Sequence, residues 1–176
     1  MDVAARLNWI DRVCANAKAW NETAEMLNSL GKGRQVFVAA SFAAEEFAKA
    51  FLLWYTLATR ADEPPGLRKH EAKQAIGSLL ALIRDAPQGE AEFWYATAEP
   101  FKYLKEVDDA DWEMERRHAA YEEEGDVPEP NVGYVWGIAL DLEDRVGRLI
   151  DMTKRAGNVE RATLARCFQE TFLVDQ

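Results

Sequence analysis

The stretch Val36-Phe37-Val38-Ala39-Ala40-Ser41-Phe42-Ala43-Ala44-Glu45-Glu46-Phe47-Ala48-Lys49-Ala50-Phe51-Leu52-Leu53-Trp54 decides the fold. Its apolar residues fall on every side of a helical projection, which is the pattern of a helix enclosed by others. The helix is predicted from Arg34 to about Thr59. It is long enough to span a bilayer, but Glu45, Glu46 and Lys49 sit at its middle, where each charge in lipid costs roughly 2.5 to 3.5 kcal/mol. The stretch therefore reads as the central helix of a protein core, with no membrane partner.

Outward from it, the chain reads as helices throughout. Upstream, Leu7, Ile10, Cys14, Ala17 and Leu27 recur at helical spacing from Asp2 to about Leu30, with Gly31 and Gly33 as the stop. Downstream, Pro64-Pro65-Gly66 marks a loop, and Ala72, Ile76, Leu79, Leu80 and Ile83 predict a helix over Leu67 to Asp85. Glu90 to about Glu122 is helical in pattern, with a break expected near Glu99 because Pro100 cannot continue a helix. Glu122 to Val132 reads as an exposed acidic loop. Asn131 is placed to cap a fifth helix carrying Val135, Ile138, Leu142, Val146, Leu149 and Ile150 up to Gly157, and a short sixth begins near Arg161. No stretch alternates as a strand would. The expectation is one all-α domain over residues 1–176, the size of an ordinary single domain.

Composition narrows the classes of function. At 48% hydrophobic and 30% charged residues the chain is globular in type. Its net charge of -10 opposes non-specific binding to nucleic acid, which depends on Lys and Arg releasing counterions, so any RNA contact must be local. Cys14 and Cys167 match no zinc spacing and no disulfide framework, and the first ten residues do not resemble a secretory signal. A reducing cytoplasm is the expected compartment.

Three clusters could carry chemistry. In the first, Glu45 and Glu46 lie four and three residues before Lys49, within reach of its ammonium on one helical face. Unpaired charges in a buried helix would be expensive. The plainer account is an ion-pair network that fixes packing register. In the second, His70 and Lys73 share a face at the start of the next helix, where basic residues oppose the helix dipole and so ask for a partner. Together with Glu45, Glu46 and Lys49 they would make a five-residue polar site; a solvated first turn is the alternative. In the third, Glu115-Arg116-Arg117-His118-Ala119-Ala120-Tyr121 gathers groups suited to phosphate binding and proton transfer, or simply lines a solvent face. Glu115 and His118 form a single Glu-x-x-His, whereas carboxylate-bridged metal sites need two such motifs, so no metal and no cofactor is expected.

The residues Ala40 to Ala50, then His70 and Lys73, then Arg116-Arg117-His118-Ala119-Ala120-Tyr121 leading into an acidic loop, resemble the AbiV family of abortive-infection proteins within the HEPN superfamily. The resemblance spans about Ala39 to Met152. It implies a HEPN-like antiparallel bundle of about five to six helices, often homodimeric, that defends bacteria against phage by shutting down translation or RNA metabolism. A phage-encoded activator or an antitoxin protein is the kind of partner it implies. Many HEPN proteins are metal-independent ribonucleases that use an Arg and a His four to six residues apart. This chain departs from that pattern, since His118 directly follows Arg117 and no Arg stands at the right distance before His70.

Cleavage of RNA would then fall to a different set. His70, or a carboxyl of Glu45 or Glu46 held near neutrality by burial, would take the proton of a ribose 2′-hydroxyl. Arg116 or Arg117, with Lys49 or Lys73, would stabilise the phosphorane oxygens, and Tyr121 would position the phosphate or protonate the leaving group. Two non-catalytic readings stand beside this one. The chain could be a helical module that binds a partner protein or nucleotide, or an antitoxin or inhibitor whose acidic surface covers a basic partner.

Overall fold

The computed structural model describes residues 2–59, 67, 68, 70, 73, 74, 76, 77, 80 and 131–172. Among these are four long helices: α1 (Val3–Ser29), α2 (Gly33–Thr59), α3 (Val132–Ala156) and α4 (Arg161–Phe172). His70, Lys73, Gln74, Ile76, Gly77 and Leu80 are helical as well, and no described residue is in a strand. The all-α expectation holds for these residues. The predicted helix over Glu90–Glu122, its break near Glu99 and the acidic loop that follows lie outside the described residues.

α1 and α3 start and stop where their local chemistry says they should. Asp2 caps α1, its carboxylate accepting from the backbone N–H of Ala4 (2.9 Å) and Ala5 (3.3 Å), two donors that a helix start otherwise leaves unpaired. Gly31 adopts φ 68°, and the N–H groups of Gly31 and Lys32 close back on the carbonyls of Asn28 and Leu27. That paired closure needs a left-handed residue, which glycine takes without a Cβ penalty. The Asn131 side chain accepts from Tyr134 N–H at 3.1 Å to open α3, and Gly157, at φ 71°, closes it. Lys154 and Arg155 in the last turn of α3 complement the helix dipole.

The closure at Gly31 turns the chain back on itself, so α1 and α2 form an antiparallel hairpin. The Trp20 and Phe42 rings meet at 5.0 Å, and Asn16 reaches Glu46. α1 also runs antiparallel to α3: Asn21 meets Ala139 and Glu143 near one end, and Lys154 meets Asp11 at the other. It follows that α2 and α3 are parallel.

α2 is the axis of the core. No residue from Val36 to Leu57 is exposed, as its all-round apolar pattern requires. Ala39, Ala40, Ala43, Ala44 and Ala48 are buried along it, small enough for neighbouring helices to pack closely. At the far end, Phe168 of α4 lies beside Phe51 and Trp54 with ring centroids 6.1 and 6.3 Å away. The Trp54 indole N–H donates to Thr153 Oγ1 at 2.8 Å, and that hydroxyl in turn donates to the Leu149 carbonyl. The polar edge of the largest buried side chain is thus satisfied inside an apolar layer.

Candidate functional site

Successive residues of a helix project about 100° apart, so Glu45 and Glu46 point to different neighbours. Glu45 is turned into the interior and is 2% exposed. His70 Nδ1 lies 2.6 Å from its Oε2, and Lys73 Nζ lies 3.6 Å from the same oxygen. Its other oxygen, Oε1, accepts from Gln74 Nε2 at 2.7 Å. A carboxylate removed from water is tolerable only with such partners, and these are charge-assisted, the stronger kind of hydrogen bond.

His70, Lys73 and Gln74 stand at i, i+3 and i+4, the positions that share one face of a helix. The three side chains differ in access. Gln74 is fully buried and Lys73 nearly so, whereas the side chain of His70 is 48% exposed. With Nδ1 committed to Glu45, it is the opposite edge of the imidazole, carrying Nε2, that is left for solvent or a ligand. This pairing of carboxylate and imidazole is the arrangement that fixes a histidine's tautomer and ring orientation for proton transfer.

Glu46 serves a second, shallower cluster against α1. It accepts from Lys49 Nζ through both oxygens, at 3.3 and 3.2 Å, and from Asn16 Nδ2 at 3.3 Å. Lys49 and Glu46 are both partly open to solvent. Of the five residues expected in one polar site, the structure therefore joins Glu45, His70 and Lys73 directly, while Glu46 and Lys49 pair beside them on the flank of α2. Arg116, Arg117 and Tyr121, with Glu115 and His118, lie outside the described residues.

Two participants escaped the reading of the sequence. Gln74 and Asn16 are uncharged, and the one available signal is that Gln74 sits a single helical turn beyond His70. No group of three or more His, Cys, Asp or Glu among the described residues is arranged to hold a metal ion, and no described helix is long and apolar enough to cross a membrane. No protein-family model, curated protein or solved structure matches this chain.

Proposed function

We propose that this chain is an anti-phage, abortive-infection effector of HEPN type, a helical bundle of about five to six helices that acts as a homodimer and cleaves RNA without a metal ion. The observation that carries the reading is the 2.6 Å contact between buried Glu45 and half-exposed His70. In the reaction, His70 Nε2 takes the proton of a ribose 2′-hydroxyl and the freed oxygen attacks the adjacent phosphorus. Lys49, with Arg116 or Arg117, offsets the charge that builds on the phosphorane oxygens. The bond to the 5′-oxygen breaks as that oxygen receives a proton from Tyr121, leaving a 2′,3′-cyclic phosphate. Glu45 keeps the imidazole oriented and stabilises its protonated form.

The test is incubation of purified protein with labelled total RNA and tRNA, with and without EDTA, alongside His70→Gln, Glu45→Gln and Arg117→Ala variants. Cleavage that survives EDTA, ends in a cyclic phosphate and drops at least about 100-fold in His70→Gln supports the reading, that being the low end of a general base's contribution.

A second reading draws on the depth of Glu45, which at 2% exposure is placed as a packing element would be. On that reading the chain is a non-catalytic module, or an antitoxin or inhibitor with an acidic face. Folded wild type that leaves every RNA intact, whether or not a phage lysate is added as a source of activator, would favour it.

A further inference from the structure

Gln74 presents an amide where an apolar side chain would fill the same space more cheaply. It is fully buried, yet it lies in the helical row that also contributes His70 and Lys73 to Glu45. A carboxylate held through one oxygen can still swing about its Cγ–Cδ bond. Glu45 is held through both: Oε1 by Gln74, and Oε2 by His70 and Lys73. Contacts at both oxygens fix the carboxylate plane, and with it the direction from which Oε2 meets the imidazole.

We propose that Gln74 is a positioning residue: by holding Oε1 it aims Oε2 at His70 Nδ1, so that neutral His70 carries its proton on Nδ1 and presents a bare Nε2 to solvent. The importance of this tautomer for proton abstraction rests on the function proposed above, but the tautomer itself does not. An unconstrained neutral imidazole in water prefers the opposite arrangement, with the proton on Nε2. The bare Nε2 is the form that a base needs, because only a free lone pair can accept a proton. Lys73 acts on Oε2, the same oxygen as His70, whereas Gln74 acts on Oε1.

Long-range proton–nitrogen correlation on protein labelled with ¹⁵N-histidine tests this directly, at a pH where the imidazole is neutral. The chain has two histidines, His70 and His118, so a His118→Gln variant assigns the spectrum. Wild type is expected to show His70 in the Nδ1–H form, and Gln74→Met, which keeps the volume and removes the donor, is expected to move it toward the Nε2–H form. The Nε2–H form in wild type overturns the proposal whatever the variant does. A folded Gln74→Met with an unchanged Nδ1–H signature overturns it too, because Glu45 would then need no help. Where RNA is cleaved, Gln74→Met should lower kcat and leave KM within about twofold, the mark of a contact made in the transition state alone. Should wild type cleave no RNA while the tautomer still depends on Gln74, the ribonuclease reading fails and the positioning role stands.

Discussion

At the scale of single residues, Glu45 and Glu46 make a controlled comparison, being identical in chemistry and adjacent in sequence. Removing Glu45 takes a carboxylate away from a nearly buried ammonium and from the Nε2 of a fully buried amide, so Glu45→Ala should cost about 3 to 5 kcal/mol, the range for breaking one half of a buried charged network. Glu46→Ala should cost about 1 kcal/mol or less, because the pair it breaks is partly screened by solvent. Urea unfolding of both variants decides it, and equal costs would show that the burial of Glu45 is not what governs its energetics. Trp54→Phe should cost about 2 kcal/mol through lost apolar volume and one lost hydrogen bond, read in the same experiment. The charged members of the site could be named from the sequence because charges in an apolar helix demand partners. Gln74 and Asn16 could not, because an amide's role depends on what tertiary folding brings to it.

At the scale of elements, the ends of the helices were open to sequence reasoning because capping is local. Asp2, Gly31, Asn131 and Gly157 act where their residue types suggest, within a turn of the helices they bound. Gly157→Ala should cost about 1 kcal/mol, since an L-residue pays that much to take a left-handed conformation and a Cβ there meets nothing else. Asn131→Ala should cost a similar ~1 kcal/mol by leaving the Tyr134 N–H uncapped. Thermal melts of the two single variants and the double test both numbers. The sites stand at opposite ends of a 25-residue helix, so their effects should add. What could not be read locally is that α2 and α3 run parallel, a relation fixed by contacts more than 100 residues apart such as Asn21 with Glu143.

At the scale of the whole molecule, the two cysteines report on global packing. Burial first, and the nearby Asp11 carboxylate second, push the Cys14 thiol up to about 12, and burial also raises Cys167. Both thiols should react slowly with an alkylating reagent until the fold is opened by denaturant. A thiol whose folded value lies above its unfolded value favours the folded state fully below the unfolded value, and that contribution fades as pH rises toward the folded one. Stability should therefore fall between about pH 9 and about pH 12, and Cys14→Ala should flatten the slope. Urea midpoints across that window for wild type and variant measure the difference, and parallel curves would rule the thiol out as the cause.

The parallel run of α2 and α3 also sets a timetable for synthesis. The α1–α2 hairpin leaves the ribosome with one side of its most apolar helix bare, and the helix that covers it is encoded 73 residues later, at Val132. At ordinary elongation speeds that is an interval of roughly 4 to 15 seconds. During it the nascent chain offers a greasy surface to trigger-type chaperones and to neighbouring polysomes, so yield in a cell should depend on translation speed across residues 60–130 as much as on the stability of the finished fold.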